Sequence, residues 1–110
     1  MRIATGGGQL TIRIVIADDH EIVRRGMRMF LSDDPEFEIV GEASNGAEAV
    51  ERAREQQPDV VLMDLLMPVM DGITAIGKIR TEMPEVEVIA LTSVLEDASV
   101  VSAIKAGAIG

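Results

Sequence analysis

A chain of 110 residues holds one domain at most, and that length can bury a single hydrophobic core without staples. It contains no cysteine, which excludes disulfides and thiolate metal sites. Its formal net charge of −9, from 19 acidic and 10 basic residues, argues against this segment gripping nucleic acid through a basic face; the charge serves solubility first, and suits a basic partner or a divalent cation. No apolar run approaches the length of a membrane span and the N-terminus lacks the apolar core of a secretion signal, so a cytoplasmic protein with no membrane association is expected.

Residues 1–9, MRIATGGGQ, read as a flexible leader or expression remnant because three consecutive glycines cannot hold a fold. The domain is placed at residues 10–110. Thr11 to Ala17, TIRIVIA, is rich in β-branched residues and predicts a first strand. From Glu21 to Leu31 two rows, Ile22–Gly26–Phe30 and Val23–Met27–Leu31, recur at helical spacing, with Glu21, Arg24, Arg25 and Arg28 on the other side; an amphipathic helix is predicted. Phe37 to Ala43, FEIVGEA, predicts a second strand with Glu38 and Glu42 on one face, hence an edge strand. Asn45 to Gln56 predicts a helix opened by an Asn45–Glu48 capping box and stopped before Pro58. Asp59 to Met63 is the third strand. Asp71 caps a third helix from Gly72 to about Glu82, ended near Pro84. Val86 to Leu91 is the fourth strand, and Glu96 to Ala106 a fourth helix with Gly107 past its end.

Strands alternating with helices predict βαβ units and a parallel sheet covered on both faces. Strands one, three and four are nearly continuous apolar runs, as double coverage requires. Each then meets a polar group: Asp18-Asp19 after the first, Asp64 after the third, Thr92-Ser93 after the fourth. Parallel strands share direction, so these residues converge on the carboxyl edge of the sheet, where open α/β folds bind ligands.

Three clustered carboxylates repel one another unless a cation sits among them. Hard oxygen donors of this kind suit Mg²⁺, which keeps several waters and takes phosphate oxygens. Beside a cation, one carboxylate can act as a nucleophile toward phosphorus, a transfer that needs positioning and charge neutralisation more than acid–base chemistry. The Thr92 hydroxyl and backbone N–H groups after Asp64 and near Ser93 are candidate donors to the transferred group. Singly, each residue has a plainer role: Asp18 or Asp19 as a helix cap, Thr92 likewise, His20 as a solvated residue at the first helix, the methionines as core filler. Their coincidence on one edge favours a site.

The segments VIADDH, VVLMDLLMPVMDG and VIALTS resemble the receiver domain of bacterial two-component response regulators, over about residues 11–110. ADDHEIVRRG and EIVGEASNGAEAV further resemble the transcription-factor subgroup with a LuxR-type helix-turn-helix output domain. The resemblance implies a flavodoxin-like (CheY-like), doubly wound parallel sheet of order 2-1-3-4-5. It also implies Asp64 as phosphoacceptor, Mg²⁺ held by Asp18, Asp19, Asp64 and the backbone carbonyl of Leu66, and Thr92 as a hydroxyl that turns in to the phosphoryl group. Ser93 shapes access, Pro68 and Gly72 shape the following loop, and a sensor histidine kinase is the phosphodonor. On this basis the domain is a regulatory phosphoacceptor and not an enzyme.

The family also has a fifth strand bearing a lysine and an aromatic switch, and a fifth helix. The sequence ends at Gly110 where that strand would begin, and Lys105 sits within the fourth helix, so a truncated receiver of order 2-1-3-4 is expected. Such a fragment is expected to be impaired in signalling and to self-associate by edge pairing or element exchange. Rival readings fit less well. A phosphatase forming an aspartyl phosphate places its second Asp two residues after the nucleophile, whereas here Asp18-Asp19 runs into His20-Glu21. A flavodoxin-like FMN carrier needs a hydroxyl-rich phosphate loop where this chain is acidic. An inert, self-associating receiver derivative is the alternative from the binding class.

Overall fold

The computed structural model describes residues 11–64 and 72–91. Its elements follow the predicted alternation: β1 (Ile12–Ala17), α1 (Glu21–Ser32), β2 (Phe37–Ala43), α2 (Gly46–Gln56), β3 (Val60–Asp64), α3 (Gly72–Glu82) and β4 (Glu87–Leu91). The strands form one parallel sheet in the order β2-β1-β3-β4. The leader, the predicted Asp71 cap and the fourth helix from Glu96 to Gly107 lie outside the described residues.

The period-two alternation of strand side chains divides the core between the two faces. Ile14 and Ile16 of β1 and Val60 and Leu62 of β3 pack with Met27 and Leu31 of α1. Their neighbours Val15, Ala17, Val61 and Met63 pack with Ala49, Val50 and Ala53 of α2 and Ala75 and Ile79 of α3. β1 and β3 are apolar at consecutive positions because each successive side chain meets a different helical layer.

Two sequence expectations need correction. The first concerns α1. Its two apolar rows are not equivalent: Met27 and Leu31 are buried, whereas Ile22 is 80% exposed and a Cβ added at Gly26 would meet nothing. Arg24 and Arg28, assigned to the solvent side, instead turn toward Glu42. The second concerns β2, which does lie at the end of the described sheet. Its register against β1 slips between Ile14 and Val15, pairing Ile14 with Ile39 but Val15 with Gly41. That bulge reverses the alternation. Phe37 and Ile39 belong to the α1-side core and Ala43 to the α2–α3 side. Glu42, paired with Ile16, therefore faces α1, while Glu38, paired with Arg13, faces the opposite way.

α2 begins as predicted, with one difference in its capping box. Asn45 Oδ1 accepts the Glu48 N–H at 2.8 Å. The Glu48 carboxylate reaches back past Asn45 to the N–H and hydroxyl of Ser44, at 2.8 and 2.9 Å. These bonds hold the Glu48 carboxyl below its ordinary value, the backbone bond contributing most.

Candidate functional site

The site is assembled at the carboxyl ends of β1 and β3. β1 continues into Asp18, whose N–H donates to the Ala43 carbonyl at 3.0 Å, so the turn stays tied to β2. One Asp18 oxygen, Oδ1, accepts the His20 N–H at 2.8 Å, a tight side-chain turn that launches α1. Asp64 is the last residue of β3 and pairs with Leu91 of β4; it stands inside the strand rather than after it. Donor atoms of Asp18, Asp19, His20 and Asp64 lie within 4.8 Å of one another.

The members differ in chemistry. Asp18 is buried and partly committed to its turn. Asp19 Oδ1 is sealed from solvent and accepts no hydrogen bond. The His20 Nδ1 lies 3.0 Å from it, close enough for charge pairing but out of hydrogen-bond alignment. His20 Nδ1 also lies 3.2 Å from Asp18 Oδ1, with its ring largely exposed.

A carboxylate oxygen withdrawn from water without an aligned donor is costly. A small hard cation among the carboxylates would satisfy it. Oxygen donors at this density match Mg²⁺ better than a soft metal. The predicted Asp18, Asp19 and Asp64 are thus brought together. Leu66, Pro68, Thr92, Ser93 and Lys105 lie outside the described residues.

The model of the response regulator receiver domain matches residues 14–110. The chain belongs to this family. The receiver is 45% identical over 98 residues to the response regulator protein VraR of Staphylococcus aureus, a match covering 89% of this chain and 47% of VraR. The chain thus spans about half the length of the curated relatives it matches. Among solved structures it is similar to the receiver domain of NarL from Mycobacterium tuberculosis, with 33% identity and a TM-score of 0.74, over 92% of this chain and 77% of that one. It is also similar to RcsB from Salmonella enterica serovar Typhimurium, with 33% identity and a TM-score of 0.69, over 74% and 42% of the two chains. That RcsB structure is bound to a promoter in the presence of a phosphomimetic. The receiver fold and regulatory class expected from the sequence are therefore borne out. Among the described residues no helix is long and apolar enough to cross a membrane.

Two residues near the site were not singled out as site residues from sequence. Arg24 Nη1 donates to the Asp18 carbonyl at 2.6 Å, and its Nε donates to Glu42 Oε1 at 3.2 Å. Glu42 also receives Arg28 Nη1. An arginine one turn into the helix after an acidic pair was the available signal; its partner was hidden by the bulge in β2.

Proposed function

We propose that this receiver accepts a phosphoryl group on Asp64, from a phosphohistidine of a sensor histidine kinase, with Mg²⁺ held by Asp18, Asp19, Asp64 and the Leu66 carbonyl. The observation that carries this reading is the cluster itself: the Asp64 carboxylate ends the central strand β3 within 4.8 Å of the Asp18 and Asp19 donors. An Asp64 oxygen attacks phosphorus, the histidine N–P bond breaks, and the departing imidazole nitrogen recovers a proton from solvent. The cation supplies neutralisation of the charge gathered between carboxylates and phosphoryl oxygens. Asp18 and Asp19 would hold it, Asp19 through the buried oxygen that accepts no hydrogen bond. Thr92 and Ser93, which follow β4, donate to the transferred group.

By likeness to RcsB, which is bound to a promoter in its solved structure, the phosphorylated receiver is the input to a DNA-binding output domain in the whole protein. Acetyl phosphate with Mg²⁺ tests the chemistry. The intact mass gains one phosphoryl group as an acyl phosphate, and Asp64→Asn abolishes the gain. An adduct that maps to His20 or Ser93 would sink the assignment.

A further inference from the structure

We propose that Arg24 is a positioning residue for the cation site: bonded to the Asp18 carbonyl and anchored by Glu42, it fixes the β1–α1 turn in the geometry that brings the Asp18 and Asp19 carboxylates to Asp64. This rests on the reading of those three residues as a cation-dependent phosphoacceptor site.

Three observations converge on it. α1 starts without a side-chain cap, since its first flanking residue, His20, makes no capping bond. Among the described residues the backbone of the turn that carries both carboxylates is held by Asp18 N–H to the Ala43 carbonyl and Arg24 N–H to the His20 carbonyl, by Asp18 Oδ1, which meets the His20 N–H and ring, and by the Arg24 side chain on the Asp18 carbonyl. Of these, the Arg24 side-chain bond is charge-assisted and the shortest, at 2.6 Å. Second, the guanidinium is itself held in place. Its side chain is only 16% exposed, and one edge of the planar fork meets the carbonyl while the Nε meets Glu42. Third, Glu42 faces α1 only because the β2 bulge reverses the strand's alternation. Without the slip its carboxylate would point to the α2–α3 side, and Arg24 and Arg28 would lose their partner. The bulge, Glu42 and Arg24 thus form one path from the edge strand to the backbone of the acidic turn.

The effect has a diagnostic sign. Arg24 is a positive charge beside a cation site, so Coulomb repulsion alone means that removing it tightens Mg²⁺ binding. A positioning role means the opposite, because a ligand turn released from its support binds metal more weakly; residues supporting metal ligands typically contribute about 10–100-fold in affinity. Arg24→Lys separates the two, since it keeps the charge but replaces the planar fork, whose Nη1 and Nε meet the Asp18 carbonyl and Glu42, with a single nitrogen on a flexible stem.

The test is Mg²⁺ titration by calorimetry on the whole chain, with Asp19→Asn, Arg24→Lys, Arg24→Met and Glu42→Gln. Thermal unfolding without metal shows that each variant is folded at the titration temperature. Arg24→Met and Arg24→Lys should both weaken Mg²⁺ binding by about tenfold, and Glu42→Gln by a smaller factor in the same direction. Unchanged or tighter binding in folded Arg24→Lys overturns the proposal, and if Arg24→Met does not fold, Arg24→Lys and Glu42→Gln decide it alone. Asp19→Asn keeps the two readings apart. If it leaves affinity unchanged, the cation site itself is wrong; if it abolishes binding while both Arg24→Lys and Glu42→Gln bind like the parent, the site stands and the positioning role falls.

Discussion

Asp59 and Arg13 clasp each other twice: Arg13 N–H donates to Asp59 Oδ2 at 2.9 Å, and Asp59 N–H donates to the Arg13 carbonyl at 2.9 Å. The Asp59 carbonyl then accepts Glu87 N–H at 3.0 Å. One residue at the amino edge of the sheet therefore ties β1, β3 and β4 in register. The carboxylates at the far edge depend on that register, because a one-residue slip moves every side chain to the other face. Asp59→Ala leaves a half-buried N–H without its acceptor and should cost about 1–2 kcal/mol, read by urea denaturation. An unchanged midpoint would show that solvent replaces the carboxylate.

The two rows of α1 give a paired prediction. Leu31 is 1% exposed and Ile22 80% exposed. Leu31→Ala should destabilise by roughly 2–5 kcal/mol, whereas Ile22→Gln should stay within about 0.5 kcal/mol of the parent. Equal losses in both would mean that Ile22 is covered in solution.

The same pair shows where sequence reading reached its limit. A short apolar run such as Val60–Met63, rich in β-branched residues and set in a strand–helix alternation, fits a strand covered on both faces, and an aspartate at the end of such a run has no apolar role to play. That is why the fold and the Asp18, Asp19 and Asp64 cluster were legible in outline. In α1 the rows led by Ile22 and Val23 have the same spacing, and periodicity cannot choose between them; the choice belongs to the sheet beneath. The β2 bulge is harder still. FEIVGEA has no residue that demands a slip, since Gly41 lies after it and a Cβ there would meet only ordinary contacts. Glu42 was thus assigned the face of Glu38, and its bond to Arg24 could not be foreseen.

At the end of α2, Gln57 adopts a left-handed backbone with φ of 50°. Its N–H donates to the Ala53 carbonyl at 2.9 Å, and Arg13 Nη1 donates to the carbonyls of Gln56 and Gln57. A side chain in this conformation costs about 1–2 kcal/mol, partly offset by the greater unfolded-state freedom of glycine, about 0.5–1 kcal/mol. Gln57→Gly should therefore raise stability by up to about 1 kcal/mol, seen as a higher denaturation midpoint with unchanged slope. A lower midpoint would indicate that the bond from the Gln57 side chain to the Arg54 carbonyl outweighs the backbone strain.

Glu48 supplies a pH dependence. Its folded-state value is lowered, chiefly by the Ser44 N–H and then by the Ser44 hydroxyl. A lowered carboxylate contributes stability that is present above its ordinary value of 4.5 and is lost as pH falls through the lower folded-state value. Glu48→Gln removes the titration. The parent should exceed the variant in stability at pH 7, and the gap should close as pH drops below 4.5. Urea titrations at pH 7, 5 and 3.5 or so measure it. A gap independent of pH would assign the whole effect to packing.

The acidic cluster should make the metal-free domain less stable than it would be with one charge removed. Asp18, Asp19 and Asp64 crowd their oxygens within 4.8 Å, and Asp19 Oδ1 sits out of contact with water and accepts no hydrogen bond. Asp19→Asn removes one negative charge from the cluster and replaces an acceptor-only group with one that can also donate. In the presence of a chelator the variant should therefore melt above the parent. Adding Mg²⁺ reverses the order. A ligand that binds only the folded state stabilises the parent by about 1.4 kcal/mol at tenfold excess over its dissociation constant, roughly 6–11 °C for a domain of this size. The variant, short of one of the proposed ligands, should gain little. Calorimetric scans of both proteins, each with chelator and with Mg²⁺, give the four values required. Crossing of the two melting temperatures identifies the carboxylates as a cation site maintained at a cost to the metal-free fold. A variant that melts below the parent in chelator would mean instead that the contacts of the Asp19 carboxylate, including His20 Nδ1 at 3.0 Å, outweigh the repulsion within the cluster.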